Sequence, residues 1–252
     1  MSKKGESKNW ILKSFLFVKV LFRNVPTWVI VLFSLSIIGM NLLAQFVLVS
    51  LPWLALNYGI FVSWIVFLIM DVVTKHFGVK AANVISVFGL VVNSIAVLIF
   101  WLISIISSNP SLDLILHGQW SIWLASSIAF IVSAVLNNLL NKLIRTSFKN
   151  NPDGKVAYVV SSYVSTLVGQ FVDNMLFVVL AFMVFCYIPG ATPVFYTFEQ
   201  CLGASLLCAV FELLFEVVFS PIGYKLIQHW RKNSVGEQYI EMYERKSITN
   251  EL

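Results

Sequence analysis

The sequence predicts an all-α integral membrane protein with six transmembrane helices. Of its 252 residues, 59% are apolar and only 12% are charged, whereas a typical soluble domain has about 25% charged residues. A bilayer core about 30 Å thick requires about 20 apolar residues for each helical crossing. Six apolar stretches of that length contain no lysine or arginine: residues 27–51, 54–74, 81–106, 120–141, 157–187 and 196–220. This composition excludes a soluble globular protein.

Two polar segments flank the membrane region, which is predicted to extend over residues 27–224. Residues 1–26 are basic and mix aromatic side chains with lysine and arginine, as in helices that lie at the level of the lipid headgroups. No cleavage site of small residues follows, so a signal peptide is not expected. Residues 225–252 are predicted to form a polar tail in the cytoplasm.

The first two apolar stretches are joined through Pro52. Proline cannot continue a helix, because it lacks the backbone donor and its ring clashes with the preceding turn. The sequence therefore predicts a tight reversal at Pro52 between two antiparallel helices. The other four stretches are predicted as single crossings.

Positive charge is distributed very unevenly among the connections. The N-terminal segment holds six of the 17 lysines and arginines, and the tail holds five. The connections after the second and fourth stretches hold the other two and four. The alternate connections, residues 50–53, 107–119 and 188–195, hold none. Because positive loops stay in the cytoplasm, both termini are predicted to be cytoplasmic. This asymmetry explains the net charge of +5, so the bilayer is the expected partner and nucleic acid is not.

The fifth stretch carries polar or small residues in adjacent pairs every four positions. The pairs are Ser161 and Ser162, Ser165 and Thr166, Gly169 and Gln170, and Asp173 and Asn174. At helical spacing they form one polar wedge, with Asp173 near the middle of the membrane. We interpret the wedge as part of a substrate site. The alternative is close helix packing, with Gln170 and Asp173 bonded to neighbouring helices.

Two further stretches contain candidate polar groups. Glu212 and Glu216 lie one turn apart in the sixth stretch, which is typical of a proton or cation site or of a ligand carboxylate. An acid pair held by other groups near the cytoplasmic interface is the alternative. Asn41 and Gln45 are spaced i, i+4 in the first stretch, where they could contact a ligand or bond between helices.

Asp71 closes the second stretch and precedes Lys75 by four residues, so an ion pair at the interface is expected from spacing alone. Cys186, Cys201 and Cys208 lack metal-binding spacing, and the sequence contains no HExxH, GxSxG or phosphate-loop motif. We therefore expect no metal, no cofactor and no enzymatic activity. The alternative is a membrane-embedded enzyme that uses Asp173, Glu212 and Glu216 as acid and base. No arrangement of residues that would supply a nucleophile supports this alternative.

Several of these residues belong to runs that resemble a known family. Residues 67–82, FLIMDVVTKHFGVKAA, and 165–182, STLVGQFVDNMLFVVLAF, resemble two signatures of the vitamin uptake transporter family in its queuosine precursor transporter branch. The Asn41 and Gln45 pair and the combination of Glu216 with Pro221 are also similar to that branch. Members commonly have a lysine one turn before the last acid, where this chain has Phe211 and Glu212.

The resemblance implies a cell-membrane importer of 7-deazaguanines such as preQ0, preQ1 or queuine, which are salvaged for tRNA modification. It also implies a six-helix fold similar to the substrate-binding components of energy-coupling-factor transporters, so an energy-coupling module is a possible partner. The site residues would be Asn41, Gln45, Gln170, Asp173, Asn174 and Glu216, the last as ligand partner or proton carrier. Asp71 would have a gating or structural role. Glu212 lies where this chain departs from the family pattern, and its predicted role in proton or cation binding or in gating comes from its own chemistry and not from the resemblance.

Two other transport functions stay open at this stage. The same fold could carry another vitamin-like small molecule. The chain could also be a substrate-binding subunit that depends on an ATPase partner, although the first stretch lacks an AxxxA docking run.

Overall fold

The computed structural model describes residues 3–107, 109–147 and 155–244, and its regular structure is almost entirely helical. In chain order the helices are α1 (Lys3–Asn24), α2 (Thr27–Leu43), α3 (Ile60–Phe77), α4 (Val79–Ile106), α5 (Pro110–His117), α6 (Gln119–Ser147), α7 (Lys155–Val179), α8 (Phe198–Lys232) and α9 (Glu237–Tyr239). α7 continues through a π-helical turn (Leu180–Val184) and a 3-10 turn (Phe185–Tyr187), and α9 continues through a second π-helical turn (Ile240–Glu244).

The helices confirm the prediction of an all-α, multi-pass membrane protein. Within the described part of the chain, five helices are long and apolar enough to cross a bilayer, namely α3, α4, α6, α7 with its continuation, and α8. A sixth span results if α1 and α2 are counted together, although they meet at an angle of 99°. The cytoplasmic location of the two termini stays a prediction.

The predicted end of the first crossing helix and the predicted start of the second are both wrong. The first crossing helix was expected to extend over residues 27–51 and to reverse at Pro52 into a second helix, but α2 ends at Leu43. Residues Val47–Leu51 (β1) and Leu54–Asn57 (β2) instead form an antiparallel hairpin in which Leu51 pairs with Leu54. Pro52 does mark the reversal, but it lies in the turn of a β-hairpin. β1 has the sequence VLVSL, and its β-branched valines favour a strand over a helix.

The hairpin is attached to the N-terminal part of α8. Gln200 donates from Nε2 to the carbonyl oxygen of Leu51 at 2.8 Å. The same side chain completes a capping box, because its Oε1 accepts from the backbone N–H of Thr197 at 2.9 Å. One turn further along α8, the missing side chain of Gly203 lets the carbonyl oxygen of Trp53 approach the helix closely. A side-chain hydrogen bond and a close approach of the two backbones therefore hold the hairpin to the helix.

The chain after α8 folds back onto the first half of the molecule. Tyr239 is fully buried, and its ring contacts Phe17 of α1 and Phe77 of α3. A ring nitrogen of His76 lies 2.9 Å from the carbonyl oxygen of Val235. α8 continues without a break from the predicted membrane region past residue 225, where the polar tail was expected to begin.

Candidate functional site

A cavity of about 350 Å³ lies at the centre of the helix bundle. This volume is within the range of about 300–1,000 Å³ that is typical of small-molecule sites. Side chains of α2, α3, α4, α6, α7 and α8 line it, and β2 contributes part of the wall. All the helices that were predicted to span the membrane therefore contribute to one cavity.

Among the described residues, α7 supplies more polar side chains to the cavity than any other helix. Gly169, Gln170, Asp173, Asn174 and Phe177 line it at spacings of one helical turn. The intervening apolar positions Val164, Leu167 and Val168 are exposed on the outer surface of the bundle. The part of the predicted wedge from Gly169 to Asn174 thus faces inward. Ser165 is buried, and the side chains of Ser161, Ser162 and Thr166 lie outside those that the structure describes.

Two carboxylates line the cavity, and each accepts a hydrogen bond from a neutral side chain. Ser133 of α6 donates from Oγ to Asp173 Oδ1 at 2.8 Å. Asn174 donates from Nδ2 to Glu212 Oε2 at 3.0 Å, which connects α7 to α8. A carboxylate can accept about four hydrogen bonds. Asp173 and Glu212 therefore keep capacity to bind a ligand that donates hydrogen bonds.

Two amide groups in the cavity wall have atoms without a hydrogen-bond partner in the described structure. These atoms are Nδ2 of Asn41, a donor, and Oε1 of Gln170, an acceptor. The two side chains are only 2% and 6% exposed. Buried polar groups are normally satisfied, because an unmade hydrogen bond costs about 1–3 kcal/mol. An unpaired donor and an unpaired acceptor in one cavity are therefore evidence for a polar ligand.

The rest of the wall is largely apolar, with several aromatic rings. Phe33, Phe67, Phe130 and Phe177 contribute from α2, α3, α6 and α7. α3 lines the cavity with Ile60, Ser63, Phe67, Met70 and Thr74. This face extends over 15 residues, which corresponds to about 21 Å along the helix axis. The cavity is therefore elongated, and its aromatic faces suit a flat molecule.

The structure separates three predicted site residues from this group. Gln45 is not among the cavity-lining residues, and its Nε2 donates to the carbonyl oxygen of Ile115 at 2.8 Å. Asp71 lies outside the cavity as well and forms the expected ion pair with Lys75, with 2.7 Å between Oδ2 and Nζ. Glu216 lies one turn after Glu212 on α8, and its side chain is outside the described set.

Sequence reasoning missed the contributions of α3 and α4 to the cavity. Ser63 and Phe67 of α3 and Ser86 of α4 line it. A weak signal was available, because residues 60, 63, 67, 70 and 74 recur at helical spacing. This spacing did not identify a cavity wall, because most of these residues are apolar and a lipid-facing helix surface is apolar as well. In the described residues, no three histidine, cysteine, aspartate or glutamate side chains gather where they could hold a metal ion.

Comparison with known proteins gives one family match. The model of the vitamin uptake transporter family matches residues 57–226, about two thirds of the chain, from the end of β2 into the C-terminal part of α8. Searches of curated proteins and of solved structures find no match. The matched region contains every cavity-lining element except α2 and part of the hairpin. The chain therefore belongs to the vitamin uptake transporter family.

Proposed function

We propose that this protein imports queuosine precursors, which are 7-deazaguanine bases, for salvage into modified tRNA. The observation that carries the proposal is the combination of polar groups in the central cavity. Two carboxylates, an unpaired amide donor and an unpaired amide acceptor lie there among aromatic rings. The family assignment supports uptake of a vitamin-type small molecule and points away from an enzyme.

The polar groups complement the edges of a deazaguanine base. Its pyrimidine ring presents two adjacent donors, the ring N–H and the amino group, which one carboxylate can accept in a bidentate manner. Asp173 serves in this role, and Asn174 positions the neighbouring Glu212. Asn41 Nδ2 then donates to the carbonyl oxygen of the base, and Gln170 Oε1 accepts from the N–H of its five-membered ring. Phe67, Phe130 and Phe177 offer surfaces for stacking.

Three predicted residues keep roles outside this set of contacts. Glu216 is proposed as a second ligand partner or proton carrier, since it follows Glu212 by one helical turn. Asp71 is proposed to act in gating, or structurally through its ion pair with Lys75. Gln45 holds α5 against the end of α2 in this conformation. The protein could transport its substrate alone or as a subunit coupled to an ATP-driven module. Transport in cells that lack such a module decides between these two mechanisms.

The proposal is tested by rescue of queuosine in tRNA. Cells that cannot synthesise the precursors and lack their own importer receive nanomolar preQ0 or preQ1, with or without this protein. Restored queuosine is the expected result, and Asp173→Asn should abolish it at normal membrane expression. Glu199→Gln is the matched control, because this exposed acid lies at the start of α8, outside the cavity.

Two results would contradict the proposal. The first is no queuosine in tRNA although the full-length protein is present in the membrane. The second is normal rescue by Asp173→Asn, which would remove the central contact. In the first case, competition with other vitamin-like compounds for uptake would identify the true substrate class.

A further inference from the structure

We propose that the cavity binds a positively charged ligand, so that the protein takes the aminomethyl deazaguanine preQ1 in preference to uncharged members of that class. The inference rests on the proposed function and adds the charge state of the substrate to it. The observation that leads to it is the environment of the two cavity carboxylates, which are surrounded by neutral groups.

Both cavity acids have only neutral partners among the hydrogen bonds identified in the described residues. Asp173 accepts from a serine hydroxyl and Glu212 from an asparagine amide. The described residues that line the cavity include no lysine, arginine or histidine. An acid that does have a cationic neighbour lies elsewhere: Asp71 pairs with Lys75 outside the cavity.

An uncompensated carboxylate is costly in such a place. Charged side chains within the membrane are expensive, and they normally pair with an opposite charge or face a functional cavity. Two acids that share a cavity also repel each other. A ligand that brings a positive charge relieves both effects, whereas with a neutral ligand at least one of the two acids must either stay without a counter-charge or take up a proton.

The acids are accompanied by independent evidence for a ligand. Asn41 and Gln170 line the same cavity, are more than nine-tenths buried, and have an unpaired donor and an unpaired acceptor. A pair of acids that only stabilised the fold would not require these orphaned amide atoms beside it. The cavity is therefore equipped for a ligand that has both neutral polar edges and a charge.

A deazaguanine with an aminomethyl group presents two separate donor regions, which match the two carboxylates. The ring N–H and amino group of the base form one region, and the protonated amine at the other end of the molecule forms the second. In this arrangement Asp173 accepts from the base and Glu212 accepts from the ammonium group through charge-assisted hydrogen bonds. A nitrile at the same position, as in preQ0, would leave Glu212 without a cationic partner.

The inference is tested by binding of three ligands to the purified full-length protein in nanodiscs. The ligands are preQ1, preQ0 and the 7-hydroxymethyl analogue, a neutral molecule of nearly the same size as preQ1. We expect preQ1 to bind at least about tenfold more tightly than either neutral base, since a charge-assisted hydrogen bond is lost with the neutral ligands. This comparison needs only the wild-type protein.

Variants then assign the selectivity to Glu212. Gln at this position still accepts the hydrogen bond from Asn174 but has no charge, so Glu212→Gln should reduce the preference for preQ1 to less than about threefold. Glu199→Gln, which neutralises an exposed acid on the same helix, should keep the full preference. An unchanged preference in a folded Glu212→Gln variant would overturn the assignment of the ammonium to this residue.

The outcomes separate this inference from the proposed function. Equal binding of the three ligands, or tighter binding of preQ0, would overturn the inference while the proposed function stands. Absence of binding by all three would overturn both. Tight binding of preQ1 alone would support both and would fix the charge of the substrate.

Discussion

Asn41 has an unpaired donor in the cavity, and this makes it the clearest test of the site at the scale of a single residue. Asn41→Leu should weaken uptake about fivefold or more, because a hydrogen bond to the ligand worth about 1 kcal/mol is lost. The stability of the fold should not fall, since Nδ2 has no partner in the described structure. Uptake into proteoliposomes and thermal unfolding in detergent measure the two effects separately.

Asn93 of α4 provides the matched control for this variant. It is also 2% exposed and also has an Nδ2 atom without a partner in the described residues, but it is not among the cavity-lining residues. Asn93→Leu should therefore leave uptake unchanged. Equal loss of uptake in the two variants would indicate general damage to the bundle and would contradict a role for Asn41 in ligand binding.

The sequence correctly grouped the cavity residues where the predicted helix is present in the structure. Gln170, Asp173 and Asn174 lie together because α7 extends through all three positions. Asn41 and Gln45 were expected on one helical face, but α2 ends at Leu43. The i, i+4 relation therefore fails, and Gln45 turns away to bond to Ile115. The prediction for a single residue was therefore correct only where the predicted helix included that residue.

At the scale of elements, the contact between the hairpin and α8 depends on the absence of a side chain at Gly203. A Cβ at this position would collide with the carbonyl oxygen of Trp53, and neither backbone can move without disturbing the other. Gly203→Ala should therefore destabilise the protein by about 1–3 kcal/mol, as overpacked sites do. Thermal unfolding of the purified protein measures the change.

Gly39 of α2 allows a matched comparison. It is also a helical glycine, but nothing lies within 4 Å of a Cβ placed there. Gly39→Ala should stabilise the helix by about 0.5–1 kcal/mol, because alanine loses less conformational entropy on folding. If both variants had the same unfolding temperature as the wild type, the close approach of the hairpin to α8 would be wrong.

The hairpin also shows why element boundaries were harder to predict than element number. An apolar run indicates burial in the membrane or in the protein, but it does not distinguish a helix from a strand. Residues 47–51 satisfy their backbone groups by pairing with β2, and Gln200 bonds the outer carbonyl of Leu51. The contact with Gln200 joins residues about 150 positions apart in sequence, so local pattern alone did not reveal it.

At the scale of the whole molecule, the orientation in the membrane follows from charge. In the predicted six-span topology, the 17 lysines and arginines fall in the terminal segments and in the two connections on the same side, whereas the hairpin lies in a connection without positive charge. The positive-inside rule therefore predicts that the hairpin faces the exterior and that the α3–α4 corner faces the cytoplasm. The cavity is lined by β2 near the hairpin and by the start of α4 near the α3–α4 corner. A substrate imported from the exterior would therefore enter from the hairpin end.

Cysteine labelling in intact cells tests this orientation. After Cys186, Cys201 and Cys208 are replaced by alanine, single cysteines are introduced as Ser50→Cys in the hairpin and Lys80→Cys at the start of α4, both exposed positions. A membrane-impermeant maleimide should label the hairpin cysteine in intact cells and the α4 cysteine only after permeabilisation. Retained uptake in both variants is the control for folding. The reverse pattern of labelling would place the termini outside and would require the substrate to enter the cavity from the end where α3 meets α4.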